Sequence, residues 1–328
     1  MGFLSRRKED RDGTTIYFAT DVHGSEICFR KFINAAQFYG AGLLILGGDL
    51  TGKLVVPIVG NGGRYYVAEL HGELVRLDES QLTDFEQKVA NEGLYPARMT
   101  PEEHQHYEDH PEEVEQLFER LMHERLRAWI EHAHQRLAET AVQIITTPGN
   151  DDPSSIDDVI REHGGDRFLL MEGKVCEIAA GHQMLNTGYS NPTPWHTPRE
   201  YPEDFIREHI EEMAKRLDHP ETAIFNIHVP PYDTGIDNAP LLDERLAVRT
   251  SMGAQLTGPV GSTAVRSLIE EYQPLLSLHG HIHESGGTAR IGRTVAINPG
   301  SEYGDGILRG ALVSIGSGRL KRFQATSG

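Results

Sequence analysis

The chain of 328 residues carries 31 lysines and arginines against 49 aspartates and glutamates, which gives a formal net charge of −18 at pH 7. A charge of this sign repels nucleic acid at long range, so duplex DNA is a disfavoured partner unless a local basic patch offsets it. With only Cys28 and Cys176, no membrane-length apolar run and no apolar signal core after Met1, the sequence predicts a cytoplasmic protein without a disulfide framework or a membrane partner.

Five short apolar runs, each followed by polar residues, occur along the sequence. Their length and β-branched content predict buried strands, at 15–20, 43–46, 142–147, 223–227 and 275–278. The polar side chains that follow these runs are Asp21, His23, Asp49, Asn150, Asp151, His228, His281 and His283. Open α/β sheets bind ligands at the carboxyl ends of their strands, so we expect these residues to converge on one site.

Residues 53–139 are interpreted as an insertion in a single domain that spans 1–328. The insertion begins with strand-like runs and continues with helical patterns, at 54–59, 65–70, 73–77, 81–93 and 112–139. A cap over the site and a dimerisation arm, through which the chain would form a homo-oligomer, are its two functional interpretations. A helical decoration with no role in binding is the alternative.

The remaining segments complete a layered α/β pattern. Helical patterns that begin at Ser25 and Ser262 are amphipathic and should pack on the sheet. Near the end of the chain, the runs 294–297, 311–315 and 319–323 predict a small antiparallel unit.

The loop 190–200 is a candidate for substrate contact because its three prolines make it stiff. A nucleobase could stack on Trp195 while Arg199 meets a phosphate. The alternative for Trp195 is that it anchors the loop to the core, since tryptophan is usually largely buried.

The residue types after the strands indicate metal chemistry. In Asp21-Val22-His23 and His281-Ile282-His283, side chains two positions apart can reach the same site. Carboxylates with imidazoles suit Mn, Fe or Zn better than Ca or Mg, and the lack of cysteine in these motifs excludes a thiolate zinc site. We therefore expect two divalent transition-metal ions, with Mn²⁺ as the leading candidate and Fe, Zn or Ni as alternatives.

The motifs Asp21-Val22-His23-Gly24, Gly48-Asp49, Gly149-Asn150 and Gly280-His281-Ile282-His283, with the closing 297–301, resemble the calcineurin-like metallophosphoesterase superfamily. The branch they resemble most comprises the small bacterial and archaeal phosphodiesterases. This resemblance implies two packed mixed β-sheets flanked by helices, a four-layer α/β/β/α sandwich that here carries an inserted strand-and-helix subdomain.

The resemblance also implies a role for each polar residue. The first metal would be held by Asp21, His23 and His283, and the second by Asn150, His228 and His281. Asp49 would bridge the two ions, so that Asp49, Asn150 and Asp151 are the catalytic candidates. His279 is expected to point away from the metals.

Asp151 departs from the family pattern, which has a histidine at this position as a candidate acid. An unperturbed aspartate loses its proton near pH ~4, so Asp151 would be a poor general acid, and His182 or His196 are alternatives. Two ions about 3.5–4 Å apart can still turn a bridging water into the attacking hydroxide. The chemistry should favour a phosphodiester or cyclic phosphate of a small molecule or nucleotide, whose leaving group needs little protonation.

Two other functions remain open at this point. One is a binding scaffold on the same fold that has lost catalysis, although every inferred ligand is retained. The other is a nuclease that acts on single strands or ends, which would need a basic groove.

Overall fold

The computed structural model describes residues 13–63, 65–178, 181–243 and 245–328. The N-terminal segment on which the signal-peptide inference rests lies outside these ranges. The helices are α1 (Glu26–Tyr39), α2 (Leu82–Asn91), α3 (Pro101–Asp109), α4 (Pro111–Arg136), α5 (Ser155–His163), α6 (Glu203–Ala214) and α7 (Thr263–Tyr272).

The strands of the described residues are mostly short. They are β1 (Thr14–Ala19), β2 (Leu43–Leu46), β3 (Val55–Gly60), β4 (Tyr66–Leu70), β5 (Glu73–Leu77), β6 (Tyr95–Met99), β7 (Gln143–Thr146), β8 (Phe168–Leu170), β9 (Lys174–Ile178), β10 (His182–Thr187), β11 (Ile224–Ile227), β12 (Asn238–Pro240), β13 (Thr250–Ser251), β14 (Ala254–Gln255), β15 (Thr257–Pro259), β16 (Leu276–Leu278), β17 (Gly287–Ile291), β18 (Thr294–Asn298), β19 (Arg309–Gly316) and β20 (Arg319–Ser327).

Two six-stranded mixed sheets form the centre of the molecule. The first sheet has the order β20-β19-β1-β2-β7-β8, with β1, β2, β7 and β8 parallel and β19 and β20 joined antiparallel. The second sheet has the order β17-β18-β16-β11-β10-β9, with a parallel centre and antiparallel strands at both edges. The predicted pair of mixed sheets is thus confirmed.

The two sheets pack face to face, and helices cover their outer faces. On β1, Ile16 and Phe18 join the core between the sheets, whereas Tyr17 joins the core beneath α1, α4 and α5. On β11, Ile224 faces the inter-sheet core and Phe225 faces the core beneath α6 and α7. This alternation follows from the two-residue period of a strand and produces the expected four layers.

The end of the chain differs from its prediction. β18 belongs to the second sheet, parallel to β16, while β19 and β20 extend the first sheet. The prediction of one small antiparallel unit was therefore wrong, because the three strands divide between the two sheets.

Within the described ranges, no helix combines the length and apolar character that a bilayer crossing requires.

Segment 53–139, which was predicted to be an insertion and keeps that name below, forms a four-stranded sheet of order β5-β4-β3-β6 together with helices α2, α3 and α4. Strand β6 and helix α3 were not predicted. Helix α4 leaves the small sheet and packs on the main core, where Trp129 stacks on Phe29 with ring centroids 4.2 Å apart. The indole Nε1 of Trp129 donates a hydrogen bond to Glu26 at 2.6 Å.

The insertion also contacts the loop that follows β1. Arg125 of α4 donates a hydrogen bond to the carbonyl oxygen of Gly24 at 2.6 Å, and the Ser25 hydroxyl donates to Asn91 at 2.5 Å. A Cβ atom on Gly52 would lie 1.9 Å from the carbonyl oxygen of Gly93, so glycine is required for this close approach. Residues of the insertion thus support the loop that carries Asp21 and His23.

Candidate metal centre

Every loop that was predicted to contribute follows the carboxyl end of a parallel strand. The first sheet supplies three of them, after β1, β2 and β7, and the second sheet supplies two, after β11 and β16. The polar residues on these loops are Asp21, His23, Asp49, Asn150, Asp151, His228, His281 and His283. The site thus lies where the carboxyl edges of the two sheets meet, as expected for α/β proteins.

Four side chains form one cluster, called the first donor group here: Asp21, His23, Asp49 and His283. The Nε2 atoms of His23 and His283 are 3.1 Å apart, and His283 Nε2 lies 3.3 Å from Asp21 Oδ1. Asp49 Oδ2 lies 3.5 Å from His23 Nε2.

A second donor group uses the other oxygen of Asp49. Asp49 Oδ1 lies 3.4 Å from His228 Nε2, and His281 completes a cluster of three possible ligands. The amide oxygen of Asn150 is 3.1 Å from the same nitrogen of His228. The structure therefore brings together the residues that the sequence suggested as ligands, and their assignment to two metal ions stays a prediction.

The spacing of these donor atoms fits a bound cation. Ligands about 2.0–2.2 Å from a metal ion and roughly at right or tetrahedral angles lie about 3–3.5 Å from one another. Two imidazole nitrogens that face each other, as in His23 and His283, are brought together when both lone pairs bind one ion. This buried cluster of aspartates and histidines can therefore hold a metal ion.

Burial and the two aspartates together set the charges of the histidines in the centre. Burial opposes the charge on His228, but Asp49 and Asp21 outweigh it and raise the pKa of His228 to about 10. Burial lowers the pKa of His23 to about 3 and that of His281 to about 4, so both imidazoles are neutral and offer lone pairs. Although burial favours a protonated Asp49, His228 holds the pKa of this carboxyl well below its usual range.

Four residues of the centre have a left-handed backbone that is uncommon outside glycine. The φ angles are 53° at Asp21, 39° at His23, 48° at Asp49 and 66° at His281. Such residues cost about 1–3 kcal/mol each in strain and concentrate at functional sites. The strain lowers the stability of the fold, and the same backbone conformations orient these side chains towards the centre.

Asp152 connects the loops after β2 and β7. Its carboxylate accepts hydrogen bonds from the backbone N–H groups of Leu50, Thr51 and Gly149, and from the Thr51 hydroxyl. Burial and the charge of Asp49 raise the pKa of Asp152 to about 6. This network fixes Asp49 and Asn150 relative to each other from behind.

In the loop 190–200, Arg199 is placed differently from its prediction, whereas Trp195 is exposed. The guanidinium of Arg199 is buried and donates to the carbonyl oxygens of Asp152 and Pro153 and to Asp157 at 2.6 Å. Because these contacts occupy it in the interior, the prediction that Arg199 meets a substrate phosphate was wrong. Trp195 is 64% exposed and does not anchor the loop to the core, so its stacking role stays a prediction.

The alternative acids and the extra histidine occupy distinct places. His182 begins β10 and lies at the amino edge of the second sheet, bonded to the Thr222 carbonyl, so it is remote from the centre. His196 is exposed on the loop 190–200. His279 is buried, and its ring contacts the carbonyls of Ile227 and Val229 outside both donor groups.

Sequence reasoning missed Thr197 and Lys53. The Asn150 amide donates to the Thr197 hydroxyl at 2.9 Å, which turns the amide oxygen towards His228. Lys53 lies 2.6 Å from Asp151 and follows Asp49 on the same loop, which is the signal that could have identified it.

We expect Thr197→Val to weaken binding of the second metal ion by about 10–100-fold, because groups that orient a ligand typically contribute this much to metal affinity. Valine keeps the shape of the side chain but cannot accept the Asn150 hydrogen bond. Thr193→Val is the matched control. The hydroxyls of Thr193 and Thr197 both donate to Glu200, so each variant loses that hydrogen bond, but only Thr197→Val also loses the contact with Asn150. Equal metal affinity in both variants, measured by competition with a chelating dye, would contradict this role.

Comparisons with known proteins support the fold. No family model matches the chain. The protein TT1561 of Thermus thermophilus shares the fold, with a TM-score of 0.50 and 13% identity over 96% of this chain and 98% of that one. A novel archaeal phosphodiesterase aligns over 96% of this chain and 100% of its own length at a TM-score of 0.33 and 10% identity, too low to carry an argument.

A relative in sequence is the uncharacterised protein MJ1162 of Methanocaldococcus jannaschii. It is 31% identical over 170 residues, which make up 50% of this chain and 68% of the archaeal protein. The chain belongs to the same protein family as this uncharacterised archaeal protein.

Proposed function

We propose that the protein is a metallophosphoesterase of the calcineurin-like superfamily that hydrolyses a phosphodiester or cyclic phosphate of a small molecule or nucleotide. The observation that carries the proposal is the sharing of Asp49 between two donor groups, with Oδ2 near His23 and Oδ1 near His228. A bridging carboxylate between two clusters of this composition is suited to two divalent transition-metal ions, Mn²⁺ first among them.

Two such ions would supply a nucleophile from water near neutral pH and stabilise charge on the attacking and leaving oxygens. The protein's own residues contribute the geometry. Asp49 sets the separation of the two clusters, Asn150 and His228 orient the second, and the loop after β1 fixes the first.

We expect elemental analysis of Mn²⁺-loaded protein to find two metal equivalents per chain. Hydrolysis of bis(4-nitrophenyl) phosphate should be lost on chelation and restored by Mn²⁺. Fully active enzyme with a single metal equivalent would contradict the dinuclear centre. A protein that binds two ions but hydrolyses no diester, cyclic nucleotide or single-stranded nucleic acid would be a binding scaffold instead.

A further inference from the structure

Lys53 lies at the edge of the candidate metal centre, where its ammonium is held by Asp151. The Lys53 Nζ atom is 2.6 Å from Asp151 Oδ2. Asp151 is fixed in turn, because its backbone N–H donates to Asp49 at 3.1 Å and its Oδ1 accepts from the Asn150 amide at 3.0 Å. The position of the ammonium is therefore set through Asp49, which both donor groups share, and through Asn150 of the second group.

The ammonium has capacity to bind a further anion. A lysine carries three N–H donors, and among the described residues Asp151 is the one hydrogen-bonding or ion-pair partner found for Lys53. Half of the Lys53 side chain is exposed, at 50%, so solvent or a ligand can reach it. Burial opposes its charge, but Asp151 outweighs burial and raises the pKa of Lys53, which keeps the group charged.

The ion pair between Lys53 and Asp151 changes the charge that a substrate phosphate would meet at this position. Asp151 alone would place an anionic carboxylate beside an anionic substrate and would repel it. With Lys53 paired to it, the carboxylate is neutralised and a positively charged donor stands at its outer oxygen. The Tyr303 ring packs against His23 with centroids 4.6 Å apart and borders the same region.

We propose that Lys53 is a catalytic residue whose ammonium binds a phosphoryl oxygen of the substrate, and that Asp151 is the positioning residue that holds it there. The proposal rests on the proposed phosphoesterase function and assigns to this chain the group that neutralises substrate charge in place of a histidine. It also selects anionic phosphate esters over neutral esters.

The test compares Lys53→Met, Lys53→Arg, Asp151→Asn and the double variant Lys53→Met/Asp151→Asn with the wild type. Three quantities are measured for each Mn²⁺-loaded protein: metal content, the Kd for inorganic phosphate by calorimetry, and kcat/KM for bis(4-nitrophenyl) phosphate. Lys88→Met, which alters an exposed lysine on α2 of the insertion, is the matched control.

We expect Lys53→Met to keep both metals, to bind phosphate at least about tenfold more weakly, and to lose about 10²–10³ in kcat/KM. Lys53→Arg should recover part of both losses because it keeps the charge. The double variant should be more active than Lys53→Met, since it removes the carboxylate left unpaired beside the phosphate. A purely structural role for Asp151 would not produce this recovery.

Wild-type phosphate affinity and kcat/KM in Lys53→Met would overturn the catalytic role. A double variant with losses equal to or greater than the product of the single losses would overturn the positioning role of Asp151. If wild-type protein hydrolyses no phosphate ester, the proposed function fails, and the phosphate Kd values still decide whether Lys53 forms an anion site.

Discussion

Asp49→Ala should release both metal ions and lower kcat by more than about 10³-fold. Removal of even one group that stabilises charge in a transition state costs about 10²–10³, and Asp49 is the ligand candidate that both donor groups share. Its two oxygens approach His23 and His228 at 3.5 and 3.4 Å. Elemental analysis after gel filtration, together with diesterase kinetics, checks the result.

Asp158→Ala serves as the control for Asp49→Ala. Asp158 is an exposed carboxylate on α5 that pairs with Arg161. This surface pair contributes little to stability, so metal content and turnover should match the wild type. If Asp49→Ala retained two metals and normal turnover, the assignment of the bridging ligand would be wrong.

Trp129→Ala should lower the free energy of unfolding by about 3–5 kcal/mol, the usual loss when a large buried aromatic residue is truncated. The indole stacks on Phe29, and the substitution also leaves Glu26 without its indole donor. Denaturation in urea, followed by circular dichroism, measures the effect.

Phe38→Ala on α1 is the control, because this aromatic ring is 80% exposed and its loss should change the unfolding free energy by less than about 0.5 kcal/mol. A loss below about 1 kcal/mol for Trp129→Ala would mean that α4 does not fold together with the main core.

The ligand candidates could be predicted because each depends on short local patterns. A strand of four to six residues followed by a polar loop can be read without tertiary information, as at β1 with Asp21 and β2 with Asp49. The rule that loops at the carboxyl ends of parallel strands lie close together then supplies the long-range step.

The supporting contacts could not be predicted, since they depend on partners distant in sequence. Thr197 meets Asn150 across 47 positions, and Arg199 meets Asp157 across 42. A guanidinium in a proline-rich loop looks exposed from composition alone, and its burial is set by how the loop after β7 packs. Sheet membership of β18 and β19 was missed for the same reason, because their partners β16 and β1 are not their neighbours in sequence.

The elements of the insertion were predicted in outline, but the prediction was incomplete in detail. Helix α4 was recognised by its apolar period, but the short strand β6 was not. Pro96 lies within β6, and proline is tolerated there because β6 is an edge strand of its sheet. How α4 divides its contacts between the small sheet and the main core could not be read from periodicity, which gives the apolar face but not its partner.

The close approach of Gly52 to Gly93 has a consequence for how this chain can evolve. A Cβ at Gly24 would also lie 2.9 Å from the Gly93 carbonyl, so three segments of backbone meet without room for a side chain. A mutation that enlarges one of these glycines must be accompanied by movement of the other two segments. Substitutions in the insertion and in the loop that bears Asp21 are therefore expected to be correlated among descendants of this chain.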